Sequence, residues 1–289
     1  MIVVKITDGL GNQLFQYAFA RALKTRVRQE VYLDISDINL RKEKDSKRIE
    51  WMSLCGDREF QLNNFMITLP LIDEKKLAKK YKQKEYTSKF LNYCREFYLL
   101  PTVYLNEPLY NEYNFRLSAW HNYYIRGGFF DKKYYENETD ILMEEFKLKE
   151  TIAMPDDIKC ILDNRNTVSL HIRRGDFLNV GRDISRSDYY VKALAYMKDK
   201  VRDPFLMIFS DDIEWVNNNM NFDLEYMTIS GRGFSDCEEL ILMSMCRNHI
   251  MANSTFSYWG AWLNPNKDKI VTLPRGWRAK AIPDTWVQL

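Results

Sequence analysis

Two arginines, a histidine and an aspartate stand together in the second half of the sequence. His171, Arg173, Arg174 and Asp176 lie at or just after the end of an apolar run, residues 167–172, that has the composition of a buried strand. A guanidinium stays charged and its planar fork matches phosphate oxygens, so this group is suited to neutralising a diphosphate while a bond to it breaks. A structural ion pair with Asp176 is the alternative. Both interpretations hold if one arginine faces the ligand while Asp176 fixes the other.

A glycine-rich turn stands near the N-terminus, immediately before a helical pattern. Its sequence is Asp-Gly-Leu-Gly-Asn-Gln over residues 8–13, so Gly11, Asn12 and Gln13 would lie at a helix N-terminus, where N–H groups and the helix dipole favour an anion. The turn is neither a dinucleotide fingerprint nor a P-loop, because no third glycine and no Gly-Lys-Ser/Thr follow. A tight turn without a ligand is the equal alternative.

Small polar residues repeat this arrangement in the second half. Asn253, Ser254 and Thr255 follow an apolar run and precede a helix pattern. Capping that helix needs only one side-chain oxygen. The additional donors therefore favour binding of a phosphate or a ribose.

Another apolar run ends at Ser210, Asp211 and Asp212. Two adjacent carboxylates raise the question of a divalent metal site. Two successive side chains diverge in an extended loop, and the arginines already supply the charge that a metal would bring. We therefore expect no metal site. One carboxylate would instead bond a base edge or a ribose, or cap a helix that begins at Ile213. The three histidines have no zinc-ligand spacing.

Strands and helices must position these groups. Residues 2–6 predict a strand, residues 13–26 a helix and residues 31–33 a second strand, so the first half begins as an α/β unit. Residues 73–150 are rich in Lys, Glu, Tyr and Phe with weak helical periodicity, and they predict mainly helices.

Apolar runs alternate with helical patterns in the second half. A capping box, Ser235 to Glu238, predicts a helix through Met245. Five runs predict buried parallel strands: residues 167–172, 205–209, 224–229, 249–252 and 269–273. Ligands of such sheets bind beyond the carboxyl ends of the strands, which is where the candidate residues stand.

Length and composition predict a globular α/β protein of two domains. The chain has 289 residues, of which 46% are hydrophobic and 28% charged. This suits two cores, and we place the domains at residues 1–153 and 154–289. The net charge of +2 and the lack of a recognised module argue against nucleic-acid binding.

Cysteine use and hydropathy indicate the compartment. The five cysteines are odd in number and form no C-x-x-C pair, which fits a reducing compartment. No signal-peptide pattern and no run of about 18 apolar residues is present, so we expect a cytoplasmic protein. The lysine-rich residues 71–89 could place it peripherally on the inner membrane, although a solvated helix face is the favoured interpretation.

Read together, four blocks closely resemble the glycosyltransferase family 11 fucosyltransferases of bacterial type. They are Asp8-Gly-Leu-Gly-Asn-Gln-Leu-Phe-Gln-Tyr-Ala18, His171-Ile-Arg-Arg-Gly-Asp176, Phe209-Ser-Asp-Asp212 and Ala252-Asn-Ser-Thr-Phe-Ser-Tyr-Trp-Gly-Ala-Trp-Leu263. Residues 124–135 look like a fifth, looser block. The blocks occur in order and span nearly the whole chain.

This resemblance implies a GT-B-like α/β fold, with two Rossmann-like domains facing each other across a cleft. It implies an acceptor-side N-terminal domain and a C-terminal domain that binds the GDP-sugar donor. The implied reaction transfers L-fucose from GDP-fucose, with inversion and without metal or cofactor, to the 2-hydroxyl of a galactose-terminated oligosaccharide or glycolipid. Transfer of another deoxysugar or to another hydroxyl, and a non-catalytic nucleotide- or glycan-binding protein, are the alternatives.

The resemblance also implies roles for individual residues. Arg173 would bind the β-phosphate, and His171 and Asp211 would lie near the nucleoside. Asp176 is the candidate general base, unless it only orients an arginine. The residues expected to bind the donor are Gly11, Asn12, Gln13, His171, Arg173, Arg174, Ser210, Asp211, Asn253, Ser254 and Thr255.

The sequence departs from the family pattern at three places. Asp8 stands where a second glycine is usual, which is tolerable because Asp adopts left-handed turns more easily than most residues. Tyr258 stands where tryptophan is common. Gly128 and Phe129 replace bulkier aromatics, and this change could alter which acceptor sugar is used.

Overall fold

A computed structural model describes residues 1–38, 58–73, 75–77, 102–107, 117 and 119–289. The described residues form two compact units. The first ends at Lys147, and the second runs from Leu148 to Leu289. The boundary that we place after residue 153 lies in the loop that follows this division and precedes the helix Asp156–Asn164.

Four parallel strands form the sheet of the first unit. They are β1 (Ile2–Lys5), β2 (Val31–Asp34), β3 (Thr102–Asn106) and β4 (Asn122–Arg126), in the order β2-β1-β4-β3. All four residues of β1 are buried, as expected for an apolar run in the middle of a parallel sheet. The two strands predicted at the N-terminus are confirmed. The prediction of mainly helices for residues 73–150 is wrong where β3 and β4 lie.

The helix Leu10–Arg26 follows β1 and begins three residues earlier than predicted. Leu14, Phe15, Ala18 and Ala22 are at most 1% exposed, so the predicted apolar face is the buried one. Lys24 and Arg26 lie in its last turn, where the helix dipole favours positive charge.

Short helices close the first unit. Three-residue 3₁₀ helices span Lys132–Tyr134 and Glu136–Glu138, and the helix Thr139–Glu145 follows them. Glu145 is buried and accepts hydrogen bonds from Tyr17 Oη at 2.6 Å and Thr68 Oγ1 at 2.7 Å. This network ties the end of the unit to its first helix.

Six parallel strands form the sheet of the second unit. They are β5 (Asn166–Ile172), β6 (Pro204–Ser210), β7 (Tyr226–Thr228), β8 (Asn248–Ile250), β9 (Val271–Leu273) and β10 (Val287–Gln288), in the order β10-β9-β8-β5-β6-β7. The five predicted strands are confirmed, and the two-residue β10 is an addition. All seven residues of β6 and six of β5 are buried, so the core is centred on this pair.

Helices connect these strands. They span Asp156–Asn164, Gly175–Asn179, Tyr189–Lys200, Ile213–Asn219, Asp236–Met245 and Thr255–Trp262. The capping box predicted at Ser235 is confirmed, since its hydroxyl accepts from Glu238 N and the Glu238 carboxylate accepts from Ser235 N. Buried apolar clusters fill the space beside the sheet, one around Tyr190 and Met197 and another around Leu242 and Met243.

Two predictions about the compartment fall partly outside the described residues. Of the lysine-rich residues 71–89, positions 74 and 78–89 are not described, and neither are Cys55 and Cys94. Cys160, Cys237 and Cys246 are free thiols. No helix in the described part of the chain is both long enough and apolar enough to span a bilayer.

Candidate functional site

The two central strands of the second unit bring the arginine loop and the aspartate pair to the same edge. β5 and β6 pair in parallel with Ile172 opposite Ser210. Residues 173–176 and 211–212 therefore leave the sheet side by side at its carboxyl edge, where parallel sheets bind ligands.

Arg173 is held between two carboxylates. Its Nη2 donates to Asp176 Oδ1 at 2.5 Å, and its Nη1 lies 3.0 Å from Asp211 Oδ2. The guanidinium also lies over the ring of Phe177, with 5.4 Å to the centroid. The side chain is 21% exposed, so a ligand can reach it. A guanidinium has five N–H groups, and with two directed at these carboxylates at most three remain for phosphate oxygens.

Arg174 lies in a different environment from its neighbour. Its side chain is only 7% exposed, with Nε 3.0 Å from Asp212 Oδ2 and Nη1 3.1 Å from Asp183 Oδ2. Nη1 also donates to Ser185 Oγ at 2.5 Å, and the guanidinium lies 3.7 Å from the centroid of Trp215. One arginine is thus partly exposed and the other is nearly buried. Asp176 does not fix the buried one, as the sequence interpretation allowed, because it bonds Arg173, and Asp183 and Asp212 fix Arg174 instead. The donor-binding role assigned to Arg174 stays a prediction, and its contacts favour a supporting role.

Asp211 joins the two loops. Its Oδ1 accepts from Arg174 N at 2.8 Å while Oδ2 faces Arg173. A Cβ at Gly175 would overlap this carboxylate, so the close approach depends on glycine. The described contacts of Asp211 therefore orient the arginine loop, and its expected place near the nucleoside stays a prediction.

Asp212 and Ser210 organise the end of β6. Asp212 Oδ1 accepts from Trp215 N at 3.2 Å, which confirms the alternative that this carboxylate caps the helix beginning at Ile213. Ser210 Oγ accepts from Asp212 N at 3.1 Å, and Ser210 N donates to Ser230 Oγ at 3.0 Å. The Ser210 side chain thus has a structural partner, and its role toward the donor stays a prediction.

His171 is the last but one residue of β5 and is buried. Its backbone oxygen accepts from Tyr190 Oη at 3.0 Å, and its ring lies 5.5 Å from that of Phe256. Burial, reinforced by the charge of Arg173, lowers the pKa of His171 to about 3. Its Nδ1 is a buried atom without a hydrogen-bond partner in the described structure. The ring is therefore neutral near pH 7 and can accept or donate one bond there.

The turn after β8 lies beside the arginine loop because β8 is the other neighbour of β5. Ser254 Oγ accepts from Phe256 N at 3.2 Å and caps the helix that begins at Thr255, which confirms the capping alternative. Asn253 Nδ2 donates to Arg182 O at 2.8 Å. Asn253 Oδ1 is buried and has no hydrogen-bond partner in the described part of the chain. Donor binding by this turn stays a prediction.

The glycine turn of the first unit is built around Gln13. Its Nε2 donates to Asp8 O at 2.8 Å and Glu59 O at 2.7 Å, and its Oε1 accepts from Gln61 N at 3.0 Å. These bonds engage both ends of the amide, so the contacts of Gln13 favour the structural alternative. Asp8 has φ 65°, which bears out the expected left-handed turn.

The start of the helix Leu10–Arg26 includes Gly11 and Asn12. Gly11 is buried, and Asn12 Nδ2 lies 3.4 Å from Asp8 Oδ2. Their anion-binding role stays a prediction.

Phe129 and Tyr258, two departures from the family pattern, are buried. Phe129 has φ 54° and stacks on Phe19 with 3.8 Å between ring centroids. Glu107 Oε2 holds the backbone before it, accepting from Gly128 N at 2.8 Å and Phe129 N at 3.0 Å. Tyr258 Oη donates to Ala281 O at 3.1 Å. Both rings therefore serve packing within their own units.

Sequence reasoning missed several residues that build this edge. Asp183 and Ser185 bind Arg174, and Ser230 and Glu239 form a hydrogen-bonded pair next to Ser210. Nothing in the sequence spacing marks the first pair. The second pair stands beside the Ser235 capping box, which offers a structural reason for acids at that place.

Among the described residues, no group of three or more His, Cys, Asp or Glu side chains is arranged to hold a metal ion. Metal independence stays a prediction.

Known proteins resemble the chain along most of its length. Residues 1–281 match the profile of a family described as "Glycosyl transferase family 11". The O-antigen biosynthesis glycosyltransferase WbnK of Escherichia coli is 32% identical over 98% of this chain and 99% of its own. The alpha-1,2-colitosyltransferase of Escherichia coli is 24% identical over 100% of this chain and 99% of its own.

A solved structure resembles the fold. The structure of an Arabidopsis thaliana FUT1 mutant in complex with GDP aligns with a TM-score of 0.55, covering 98% of this chain and 72% of that one at 11% identity. The likeness confirms the predicted GT-B-like α/β fold class.

Proposed function

Because the chain belongs to glycosyltransferase family 11 and is a glycosyltransferase, we propose that it moves L-fucose from GDP-fucose to the 2-hydroxyl of a galactoside acceptor, with inversion and without a metal ion. The α-1,2 linkage draws support from the name of the colitosyltransferase relative. GDP as the leaving nucleotide draws support from the ligand of the FUT1 structure. An acceptor that forms part of a bacterial O-antigen agrees with the name of WbnK.

The observation that carries this proposal is the position of Arg173. Its partly exposed guanidinium stands at the carboxyl edge of the second unit's sheet, oriented by Asp176 and Asp211. As the fucosyl carbon separates from the β-phosphate oxygen, negative charge grows on GDP. A preoriented guanidinium stabilises that charge more in the transition state than in the bound donor.

The proposed step is a direct displacement. The acceptor hydroxyl oxygen attacks the anomeric carbon, the bond from that carbon to the GDP oxygen breaks, and the hydroxyl proton passes to a base. Asp176 is the candidate base. Its 2.5 Å contact with Arg173 supports orientation of the guanidinium equally well, and these two roles make different predictions.

Other residues of the same edge are proposed to contact the donor. The neutral ring of His171 and the Oδ1 of Asn253 are buried polar groups whose hydrogen-bonding capacity is not filled by the described residues. A bound nucleotide would satisfy them, which removes the cost of leaving such groups unpaired.

A colitose donor is the second candidate, because a relative spanning the whole chain carries that activity in its name. The same arginine loop would serve either sugar, since it acts on the leaving diphosphate. The sugar pocket alone would distinguish them. The proposed mechanism is therefore shared, and the donor must be identified by assay.

One experiment tests the proposal. The purified protein is incubated with GDP-fucose or GDP-colitose and a panel of galactosides, with and without a chelator, and released GDP, product mass and linkage are measured. We expect α-1,2-fucosylated product at a rate unchanged by chelation. Product from GDP-colitose alone would favour the second candidate. Activity lost on chelation and restored by Mn²⁺ would contradict metal independence.

The Arg173→Ala variant is measured in the same assay. We expect turnover to fall about 10²- to 10³-fold, the typical effect of removing one transition-state donor. Arg165→Ala is the matched control, because Arg165 also contacts two carboxylates, Glu225 at 2.8 Å and Asp203 at 3.7 Å, but directly precedes β5 at the opposite edge of the sheet. Near-normal turnover of Arg173→Ala would reject the assigned role.

A further inference from the structure

Glu239 is a partly buried carboxylate beside the candidate site that the proposed mechanism does not use. It lies in the first turn of the helix Asp236–Met245. Its Oε2 accepts from Ser230 Oγ at 2.7 Å, and the same hydroxyl oxygen accepts from Ser210 N at 3.0 Å. Two hydrogen bonds therefore tie Glu239 to the carboxyl end of β6.

The capping box of the helix Asp236–Met245 does not require an acid at this position. Glu238 already completes the capping box with Ser235, so the helix N-terminus has its carboxylate. Among the described residues no cation forms an ion pair with Glu239, and Ser230 provides its one side-chain hydrogen bond. A carboxylate buried without a cation is costly, and such groups concentrate at functional sites.

The same burial shifts the pKa of the Glu239 carboxyl group. Burial raises the pKa of Glu239 to about 7, the neighbouring Asp236 adds to this, and the Ser230 hydroxyl opposes it. Hydrogen-bond donors on a ligand would favour the ionised form. A bound donor group would thus stabilise the ionised carboxylate, which burial disfavours in the protein alone.

The location fits the nucleoside end of a donor. Ser210, which is bonded to Ser230, directly precedes Asp211, and Asp211 contacts Arg173. Glu239 therefore lies along the same sheet edge as Arg173, displaced toward β7 by one to two strand spacings, about 5–10 Å. A nucleoside diphosphate needs such a separation, because its ribose stands between the phosphates and the base.

We propose that Glu239 accepts hydrogen bonds from the nucleobase of the donor and thereby selects guanine. This rests on the proposed function, in which GDP is the leaving nucleotide. Guanine presents two adjacent donors, N1–H and the 2-amino group, which suit the acceptor-only oxygens of a carboxylate. Adenine presents an acceptor at N1 and would be repelled. Inosine retains N1–H but lacks the amino group.

The test is calorimetric titration of the wild type and of Glu239→Gln with GDP, with inosine diphosphate and with 2′-deoxy-GDP. We expect the wild type to bind GDP about 10- to 100-fold more tightly than inosine diphosphate, the range for a hydrogen bond to a charged group. Glu239→Gln should lose most of this preference. It should fold, because glutamine has the shape of the protonated acid that is already populated near pH 7.

Glu214→Gln is the matched control, since Glu214 is an exposed acid in the first turn of the helix Ile213–Asn219 of the same unit. It should behave as the wild type. An unchanged preference in Glu239→Gln, with GDP still bound, would overturn the inference and leave the proposed function standing. If 2′-deoxy-GDP rather than inosine diphosphate binds weakly and Glu239→Gln removes that difference, Glu239 contacts the ribose and the base assignment is wrong. A wild type that does not bind GDP would overturn the proposed function itself.

Discussion

The carboxylate of Asp211 lies directly against the backbone of Gly175, and a methyl group at residue 175 would overlap it. The same carboxylate accepts from Arg174 N and faces Arg173. The absence of a side chain at Gly175 is thus what allows the loop after β6 to orient the arginine loop after β5. This relationship makes a glycine in the sequence motif a determinant of arginine position.

Gly175→Ala should lower turnover and stability together. The added methyl displaces Asp211, and overpacking of this kind costs about 1–3 kcal/mol. In an Asp211→Ala background the overlap disappears, and because Gly175 begins a helix, alanine there should be neutral or stabilising. Thermal melts of the four proteins in this double-mutant cycle test the reversal of sign. Equal destabilisation in both backgrounds would mean that the overlap is not the cause.

Arg174→Ala should destabilise the protein more than Arg173→Ala does. Removing Arg174 leaves Asp183 and Asp212 without their buried cation, which costs about 3 kcal/mol. Arg173 is more exposed, so Arg173→Ala should lower the free energy of unfolding by only about 1 kcal/mol. It should nevertheless cause the larger loss of turnover. Denaturant unfolding and initial rates on both variants measure the two effects. If one of the two variants lost more of both stability and turnover than the other, the two arginines would not have these separate roles.

Asp176→Asn should reduce turnover about 10- to 100-fold without changing the pH at which activity declines on the acidic side. This follows if Asp176 orients Arg173, because asparagine keeps the shape and loses the ion pair. The turnover of Asp176→Asn and of the wild type, measured from pH 5 to 9, tests this prediction. A loss beyond about 10³-fold together with disappearance of the acidic limb would identify Asp176 as the base. Wild-type turnover would remove it from both roles.

The strands of the second unit could be predicted because each is a short apolar run bounded by polar residues. Those runs also fixed where the loops leave the sheet, so the proximity of Arg173 and Asp211 follows from parallel pairing of β5 with β6. β3 and β4 could not be predicted in the same way. Both strands lie in a region rich in Lys, Glu, Tyr and Phe, a composition that favours helices. β4 forms by pairing with β1, which is distant in sequence, and β3 forms by pairing with β4.

The supporting residues of the site were harder to predict than its arginines. Asp183 and Ser185 reach Arg174 across nine and eleven residues of loop, a separation that no periodicity marks. A role for Glu239 could not be predicted from the sequence, because the capping role of Glu238 already explained the acidic residues of this turn. The structure distinguishes the two neighbours by their contacts, because Glu238 bonds Ser235 and Glu239 accepts from Ser230.

Glu239 should make the stability of the protein depend on pH in a direction opposite to that of the usual salt-bridged acid. Its pKa in the folded state, about 7, lies above the ordinary value of 4.5, so the folded protein binds the extra proton between these values. The stability that this proton confers is complete below about pH 4.5 and is lost as the pH rises through 7. Glu239→Gln removes the titration, so its melting temperature should exceed that of the wild type increasingly from pH 5 to pH 8. We expect a difference on the order of 2 kcal/mol at pH 8 after allowing for partial exposure. Glu214→Gln should show no such trend, and a pH-independent difference for Glu239→Gln would mean that the carboxylate is ionised in the folded protein at no cost.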